Sequence, residues 1–303
     1  MMLLILLVKG DWIMKITRLT IIGGDNRQKQ VSLLMAESGF YVEAYGLNIP
    51  MHHSKITNHS ELNPELFESE VIILPVPYKN QSGGINIKER QEHLEPQSLF
   101  QRMKPETIVI YGKQDQEIVD LSRQYSIHSF DIVQEESFSI LNAIPTAEGA
   151  IQRAMEKTNF TLHGSKVLIL GYGRIGRVLS RMLQGIGAKV TVEARKTEDL
   201  IWIEERGYHA VHLDELDRIL NEQDIIFNTV PSLILNRNRL EQIRKDCVII
   251  DLASRPGGVD FQAAREIGIS ASLELGLPGL VAPKTAASII CQVTDRILKK
   301  HVM

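Results

Sequence analysis

The feature that most constrains the fold is a glycine-rich turn between an apolar strand and a helix. A strand is predicted over Lys166–Leu170, and a helix runs from the turn to about Gln184. The turn consists of Gly171, Tyr172, Gly173, Arg174, Ile175 and Gly176. In a βαβ unit the first glycine permits the tight turn, the second lets the backbone approach a pyrophosphate, and the third lets the helix pack on the strand. These six residues are therefore predicted to bind a dinucleotide at the helix N-terminus, with a ligand-free glycine turn as the alternative.

Apolar runs alternate with helical stretches along the rest of the chain, which is the pattern of a parallel α/β fold. In the first half, strands are predicted at 19–22, 41–46, 71–74 and 107–111. In the second half, they are predicted at 166–170, 189–193, 210–213, 225–230, 248–252 and 270–273. The predicted fold class is α/β, with two doubly wound parallel-sheet, Rossmann-like domains joined by long helices.

The length of 303 residues is about twice the usual domain size and also favours two domains. Residues 1–141 are predicted to form a flavodoxin- or Rossmann-like substrate domain, and residues 161–284 an NADP-binding Rossmann domain. A connecting helix is predicted over 142–160, starting near Pro145 with a threonine cap. The last helix, 285–303, follows all the strands and could pack back on the first domain.

Composition narrows the classes of function. Lys plus Arg number 34 and Asp plus Glu number 37, which gives a net charge of −3. This balance argues against a nucleic-acid binder, which usually carries a basic surplus. The two cysteines, Cys247 and Cys291, cannot build a disulfide framework or a Cys/His zinc site. No metal is therefore predicted, and a reducing cytoplasm is the expected location.

The N-terminus is apolar from Met1 to Val8 but is too short for a membrane span, which needs about 20 residues. It also lacks the preceding basic residue and the small-residue cleavage site of a secretory signal. Residues 1–13 are expected to be an extension upstream of a start at Met14, or an extra strand. No other stretch is apolar enough to span a bilayer, so no membrane association is predicted.

The end of the strand after the glycine turn bears on which nicotinamide cofactor binds. An NAD site usually has an acid about 20 residues past the first glycine, and Glu193 lies near that distance. If the strand instead ends at Ala194, the acid's position holds a small residue and the cations Arg195 and Lys196 follow. Two cations suit a 2′-phosphate, so NADP is favoured over NAD. A solvated helix start at Arg195 and Lys196 is the alternative.

Two later segments follow the fourth and fifth strands of the second domain, where the nicotinamide ring is expected. Thr229, Val230 and Pro231 are predicted to contact the cofactor. Arg255, which stands beside a Pro-Gly-Gly turn, is predicted to hold a substrate carboxylate. The alternative for Arg255 is a surface arginine next to a turn.

Lys284 stands at the start of the last helix, behind a proline. A cation is unfavourable there because the N-terminus is the positive end of the helix dipole. A lysine placed against this preference is a candidate functional group, unless it simply extends into water.

Motifs longer than the glycine turn occur along the whole chain. They are GGDNRQ at 23–28, NAIPTAEGA at 142–150, DLASRPGGVDF at 251–261 and GLPGLVAPKTA at 276–286. Together with the glycine turn, these motifs closely resemble the family of dipicolinate synthase A subunits, from about Met14 to the C-terminus. The resemblance implies NADP-linked oxidation of dihydrodipicolinate to dipicolinate during spore formation, in the mother-cell cytoplasm. It also implies that the partner is the flavoprotein-like B subunit of the synthase.

More distantly, the layout resembles the 2-hydroxyacid and alanine dehydrogenases. Arg255 falls where those enzymes place a substrate-binding arginine, and Lys284 falls where many 2-hydroxyacid dehydrogenases place a catalytic histidine. Because that histidine is missing, a histidine-based mechanism is not expected. The alternative functions are an NAD(P)-dependent 2-hydroxy- or amino-acid dehydrogenase and a non-catalytic dinucleotide-binding scaffold.

The implied substrate is a cyclic dicarboxylate, so its site needs cations. Arg255 is expected to bind one carboxylate, and Arg27 with the backbone N–H groups of Gly23 and Gly24 the other. Lys284 is expected either to accept a proton, if burial favours its neutral amine, or to bind a carboxylate. A homo-oligomer is also expected.

Overall fold

The computed structural model describes residues 16–50, 53–90 and 92–301. The extension predicted at 1–13 therefore lies outside the described residues. The chain forms two compact units. Unit 1 holds the described residues up to Ser139 together with those from Ala282 onward, and unit 2 is Ile140–Val281.

Twelve strands occur in these described ranges, six in each unit. Unit 1 contains β1 (Arg18–Ile22), β2 (Tyr41–Tyr45), β3 (Ile56–His59), β4 (Val71–Ile73), β5 (Ile108–Tyr111) and β6 (His128–Asp131). Unit 2 contains β7 (Lys166–Leu170), β8 (Lys189–Ala194), β9 (His209–His212), β10 (Ile225–Asn228), β11 (Val248–Asp251) and β12 (Ser270–Leu273).

The helices of the described chain lie between and after these strands. The α-helices are α1 (Asn26–Glu37), α2 (Pro96–Phe100), α3 (Gln116–Gln124), α4 (Glu136–Lys157), α5 (Arg174–Ile186), α6 (Thr197–Glu205), α7 (Arg237–Leu240), α8 (Phe261–Ile267), α9 (Leu277–Val281) and α10 (Pro283–His301). Short 3₁₀ helices occur at Pro64–Phe67, Ile132–Gln134, Leu213–Arg218 and Leu220–Glu222.

Each unit is built on one six-stranded parallel sheet. The strand order is β3-β2-β1-β4-β5-β6 in unit 1 and β12-β11-β10-β7-β8-β9 in unit 2. In both sheets the order reverses beside the first strand of the unit, which is the Rossmann arrangement rather than the flavodoxin one. The predicted fold class of two doubly wound parallel α/β domains is confirmed.

The two strands that the apolar pattern does not predict, β3 and β6, are the edge strands of the unit 1 sheet. β3 carries the exposed Thr57 and Asn58, and β6 begins with the exposed His128. An edge strand pairs on one side only and has fewer packing neighbours, so its side chains need not be apolar. Central strands such as β4, by contrast, are apolar runs buried on both faces.

Two apolar clusters cover the two faces of the unit 2 sheet. One packs α4, α5 and α6 against the sheet and includes Leu179. The other packs the 3₁₀ helices, α7 and α8 against the opposite face and includes Leu216. Because side chains alternate along a strand, β7 places Ile169 in the first cluster and Leu170 in the second. The helices therefore cover both faces and leave the carboxyl edge of the sheet for loops.

The connecting helix predicted over 142–160 begins earlier than expected. Helix α4 spans Glu136–Lys157 with Pro145 inside it. Thr146 is not its cap, because the Thr146 hydroxyl donates to a carbonyl oxygen one turn earlier in the helix at 2.7 Å. Proline removes one helical hydrogen bond, but Ala143 and Ala147 on either side of it are buried, and the helix continues through Pro145. Tertiary packing thus overrides the preference of proline for a helix start.

Helix α10 belongs to unit 1, where it packs alongside α1. It corresponds to the predicted last helix over 285–303. Ile290, Val293 and Ile297 on its inner side are almost fully buried. None of the described helices is long and apolar enough to cross a membrane.

Candidate functional site

The predicted cofactor turn lies at the carboxyl edge of the unit 2 sheet, between β7 and α5. Gly171 follows β7 with a φ of +93°, a left-handed conformation that favours glycine. A Cβ atom on Gly171 would lie 2.7 Å from both Thr229 Oγ1 and Val230 Cγ2. Thr229 and Val230 follow β10, which pairs with β7. The structure thus brings the glycine turn and the predicted segment 229–231 together where the strand order reverses.

The other two glycines bring α5 close to the strand and leave space in front of its N-terminus. A Cβ atom on Gly176 would overlap the carbonyl oxygen of Gly171. Gly173 is the N-cap of α5, no side chain caps this helix, and no atom lies within 4 Å of a Cβ atom built on Gly173. The first turn of α5 therefore offers N–H groups and the positive end of the helix dipole to an anion. This arrangement fits the diphosphate of a dinucleotide.

Tyr172, Arg174 and Ile175 complete the turn. Tyr172 and Ile175 are half-buried against the apolar cluster around α5, and Arg174 is exposed. The guanidinium of Arg177 lies 5.0 Å from the centre of the Tyr172 ring, and its Nε donates to the Tyr172 carbonyl oxygen at 3.1 Å. Arg177 Nη2 donates to Asp199 at 3.1 Å. Arg177 therefore ties the turn to α6 and holds the Tyr172 ring in place.

A buried polar pair, Asn228 and Asp251, shapes the two loops beside the turn. Asn228 ends β10, and its Nδ2 donates to Asp251 Oδ1 at 2.7 Å. The same nitrogen donates to the carbonyl oxygen of Val230 at 3.0 Å, and Asn228 Oδ1 accepts from the Val230 N–H at 3.1 Å. Neither Asn228 nor Asp251 is exposed to solvent. These bonds fix the chain directly after β10.

Asp251 also fixes the loop that carries Arg255. Its Oδ1 accepts from the Ala253 N–H at 2.9 Å, and its Oδ2 accepts from the Gly258 N–H at 2.7 Å. A Cβ atom on Gly258 would lie 2.5 Å from Asn228 Nδ2, so the loop closes tightly over the polar pair. Arg255 is exposed on the outer side of this loop. The loop therefore presents an arginine at the same edge of the sheet as the glycine turn.

Neither Asn228 nor Asp251 is among the site residues predicted from the sequence. Each is the one polar residue at the end of an apolar strand, in IIFN and in VIID. Buried polar groups need hydrogen-bond partners, so a polar strand end is a usable signal for a side chain that organises a loop. We assign both residues to positioning of the site.

Strand β8 ends at Ala194, so Arg195 and Lys196 follow it directly and both are exposed. Glu193 points inward instead. It is only 2% exposed, and its Oε2 accepts from the Gly171 N–H at 3.1 Å. Burial raises the pKa of the Glu193 carboxyl. The acid that an NAD site would use for ribose is therefore bonded to the glycine turn, and the exposed charged groups directly after the strand are cations.

In unit 1, the turn after β1 does not offer the N–H groups that the sequence analysis assigned to substrate binding. The Gly23 N–H donates to the Tyr45 carbonyl oxygen at 2.8 Å, and the Gly24 N–H donates to the Asn86 carbonyl oxygen at 2.7 Å. Both glycines are buried. This pairing speaks against the predicted binding of a carboxylate by these N–H groups, because neighbouring backbone already satisfies them.

Arg27 is paired within the same turn. Its Nε and Nη2 donate to the two carboxylate oxygens of Asp25 at 2.9 and 2.8 Å, and Nη2 also donates to the Val76 carbonyl oxygen at 2.7 Å. Burial raises the pKa of Asp25, but the hydrogen bonds and charge of Arg27 outweigh burial and lower that pKa to about 2. Two of the three guanidinium nitrogens of Arg27 are thus used to hold the N-terminus of α1.

Lys284 is the second residue of α10 and lies in unit 1. It stands at a helix N-terminus behind Pro283, as the sequence indicates, and its side chain is exposed. Its surroundings therefore do not provide the burial that a lysine base requires.

Metal and thiol chemistry have no support at the described residues. Within those ranges, no three His, Cys, Asp or Glu side chains are grouped so that they could hold a metal ion. Burial raises the pKa of the Cys247 and Cys291 thiols to about 12, so both sulfurs stay protonated and unreactive at neutral pH.

Two family models match the chain, one in each half. Residues 18–133 match the N-terminal domain of the A subunit of dipicolinate synthase. Residues 140–266 match the NAD binding domain of the D-isomer specific 2-hydroxyacid dehydrogenases. The second match contains the glycine turn, the end of β8 and both loops shaped by the polar pair.

Three relatives that are 31–34% identical cover nearly the whole chain, and all three are A subunits of dipicolinate synthase. The A subunit of dipicolinate synthase from Bacillus subtilis (strain 168) is 34% identical over 283 residues, which is 93% of this chain and 95% of that protein. The crystal structure of the A subunit of dipicolinate synthase from Bacillus halodurans matches with a TM-score of 0.85 at 31% identity, covering 93% of this chain and 97% of that one. The crystal structure of the corresponding Bacillus subtilis protein matches with a TM-score of 0.82 at 32% identity, covering 95% and 97%.

The fold and the site define an NAD(P)-dependent oxidoreductase with a Rossmann-type dinucleotide-binding domain. Its cofactor is a nicotinamide dinucleotide. The chain belongs to the family of dipicolinate synthase A subunits, and the resemblance identified from its motifs is confirmed.

Replacing Gly173 with alanine is expected to weaken dinucleotide binding without unfolding unit 2. The added methyl group meets no protein atom within 4 Å but enters the space before α5 where the diphosphate would lie. Loss of one charge-assisted hydrogen bond would raise the Kd for NADP⁺ by about tenfold or more, measured by calorimetry. Gly185→Ala, in the same helix and also with open space around it, is the control and should bind like the unaltered chain. Equal affinity for Gly173→Ala would argue against a diphosphate at this turn.

Proposed function

We propose that this chain oxidises dihydrodipicolinate to dipicolinate with NADP⁺, as the dehydrogenase component of a dipicolinate synthase. The observation that carries this proposal is the 34% identity with the A subunit of Bacillus subtilis dipicolinate synthase over 93% of the chain. The uncapped glycine turn and the match to a dehydrogenase NAD binding domain support redox chemistry at unit 2.

The reaction transfers two electrons and completes an aromatic ring. A hydride leaves a ring carbon of the substrate, a proton is released, and the product is a pyridine dicarboxylate. The bound nicotinamide supplies the carbon that accepts the hydride. Because aromatisation contributes much of the driving force, the chain mainly has to bind and orient the substrate ring.

The cofactor-binding residues act chiefly through the main chain. N–H groups in the first turn of α5, beyond Gly173, would bind the diphosphate. Thr229, Val230 and Pro231 would line the space for the nicotinamide. The Thr229 hydroxyl already donates to the Leu170 carbonyl oxygen at 2.8 Å, so its contribution is to fix this segment beside the turn.

The substrate carboxylates need cationic ligands. Two of the cations predicted for this role, Arg255 and Lys284, are exposed. Arg255 would bind one carboxylate with its planar guanidinium. For Lys284, which lies in unit 1, exposure supports the carboxylate-binding role over that of a base. Arg27 is assigned to α1 instead, because Asp25 already pairs with it.

The direct test is the formation of NADPH, followed by absorbance at 340 nm. The purified chain should accelerate NADPH formation from NADP⁺ and freshly made dihydrodipicolinate above the rate without protein. Turnover of a 2-hydroxy or amino acid in place of this substrate would indicate the dehydrogenase alternative. Dinucleotide binding with no turnover of any of these substrates would indicate a scaffold, and both outcomes would contradict the proposal.

Arg255→Ala is expected to raise the KM for dihydrodipicolinate by about ten- to a hundredfold. The reason is the loss of a charge-assisted hydrogen bond worth about 1.5–3 kcal/mol. Arg265→Ala, which removes another exposed arginine at the end of α8, is the matched control and should leave KM unchanged. If the two variants have the same KM, Arg255 does not bind the substrate.

Lys284→Met separates the two roles considered for this lysine. If Lys284 binds a carboxylate, Lys284→Met should raise the KM for dihydrodipicolinate by about tenfold or more and change kcat little. Lys300→Met, at the exposed far end of the same helix, is the control. A large fall in kcat with an unchanged KM would assign Lys284 as the base, and unchanged kinetics would remove it from the site.

Arg195→Ala tests the choice of cofactor. Loss of the 2′-phosphate contact should reduce the preference for NADP⁺ over NAD⁺, measured as the ratio of kcat/KM values, by about ten- to a hundredfold. Arg181→Ala, an exposed arginine of α5, should leave the ratio as it is. A ratio that is the same in both variants would contradict an NADP site at the end of β8.

The cellular setting belongs to the same proposal. The relatives are named as A subunits, which supports a synthase with a second kind of subunit. The family resemblance adds a flavoprotein-like B subunit in the role of that partner, and spore formation in the mother-cell cytoplasm as the process.

A further inference from the structure

The side chain of Glu193 is buried against the dinucleotide turn and does not serve as an exposed ribose ligand. Its Oε2 and its own main-chain oxygen both accept from the Gly171 N–H, each at 3.1 Å. One donor is therefore shared by two acceptors, and the side chain is 2% exposed. A carboxylate that is removed from water with so little compensation is poorly stabilised as an anion.

We propose that Glu193 is a positioning residue that takes up a proton when a dinucleotide binds the 171–176 turn, which makes cofactor affinity depend on pH. The inference rests on the dinucleotide site of the proposed function. It assigns to Glu193 a role different from the hydrogen bond to ribose that an acid after this strand would make in an NAD enzyme.

The charged groups that face Glu193 stabilise its carboxylate only weakly, so the side chain can take up a proton. Burial raises the pKa of Glu193, while the Gly171 N–H, Arg195, His212 and Arg239 oppose that effect. Arg195 is exposed, so solvent screens its charge. His212 and Arg239 each have an acidic partner of their own. Asp214 lies 3.3 Å from His212, and Asp217 accepts from Arg239 Nε at 2.7 Å.

A diphosphate on the same turn changes this balance. Its negative charges would lie near the carboxylate in partly buried surroundings, and like charges disfavour the ionised form. Protonation removes the repulsion, and the neutral carboxyl keeps an oxygen that can accept from the Gly171 N–H. Binding therefore raises the proton affinity of Glu193, and by linkage protonation of Glu193 tightens binding.

The sign of the pH dependence follows. At low pH Glu193 is already protonated in the free chain, and the dinucleotide binds without a penalty. As pH rises through the pKa that Glu193 has in the free chain, binding requires uptake of a proton and the Kd for the dinucleotide increases. The increase in Kd ends above the higher pKa that Glu193 has in the complex. Between these two pKa values, the Kd rises at most tenfold per pH unit.

The test compares the unaltered chain with Glu193→Gln, which is neutral at every pH and keeps the acceptor for Gly171. The Kd for NADP⁺ is measured by calorimetry between pH 5.5 and 8.5. We expect the unaltered chain to lose about three- to tenfold in affinity relative to Glu193→Gln over this range. The 2′-phosphate titrates in every sample, so the comparison cancels its contribution.

Two further measurements make the test independent of how well the variant folds. Calorimetry of the unaltered chain in buffers of different ionisation enthalpy should show net proton uptake on binding, in excess of that of Glu193→Gln. Glu198→Gln removes an exposed acid in the first turn of α6 and should behave like the unaltered chain.

The outcomes separate this inference from the function on which it rests. Parallel pH profiles and equal proton uptake for the unaltered chain and Glu193→Gln would overturn the role of Glu193 while leaving the dinucleotide site intact. Absence of NADP⁺ and NAD⁺ binding in all samples would overturn both.

Discussion

The close approach of Gly176 to the carbonyl oxygen of Gly171 is the contact on which the site depends. It places the first turn of α5 directly at the end of β7, where a side chain at Gly176 would force the two apart. The uncapped helix N-terminus then faces outward at the carboxyl edge of the sheet. Since β10 pairs with β7 at this point, the loops after both strands surround the same space. Strand pairing and helix packing thus create an anion-binding edge before any ligand is present.

Buried polar side chains at the strand ends shape the rest of this edge. Glu193, Asn228 and Asp251 lie at or next to the ends of β8, β10 and β11, and each accepts hydrogen bonds from loop or turn N–H groups. Burial of such groups is costly unless they are bonded, so a wrong loop conformation would leave them unsatisfied. The apolar strands supply the stability of the sheet, while these three residues select one conformation for the loops. Arg255, Arg195 and Lys196 can therefore remain exposed without leaving the edge disordered.

The parts of the molecule that were predictable from the sequence are those in which local pattern and tertiary structure agree. The buried strands are continuous apolar runs, and the glycine turn has the spacing that its geometry requires. The edge strands β3 and β6 were missed because exposure removes the apolar signal. The N–H groups of Gly23 and Gly24, which were predicted to bind substrate, donate to the carbonyl oxygens of Tyr45 and Asn86, and no local pattern shows such distant partners.

Arg27 is a different case, because its partner Asp25 is two residues away and could have been considered. Asp25 and Gln28 form a capping box at the start of α1, a pattern that is visible in the sequence. The division of roles between Glu193 and Arg195, in contrast, depends on where β8 ends and which way each side chain points. Both strand ends fitted the sequence, and the structure ends β8 at Ala194 with Glu193 buried against the glycine turn.

A crystal structure of the chain grown with NADP⁺ would examine the anion-binding edge itself. The diphosphate oxygens should lie about 3 Å from main-chain N–H groups in the first turn of α5, with the 2′-phosphate beside Arg195 and the nicotinamide next to 229–231. A dinucleotide bound at another surface, or a first turn of α5 that stays bare at saturating NADP⁺, would contradict this placement of the cofactor.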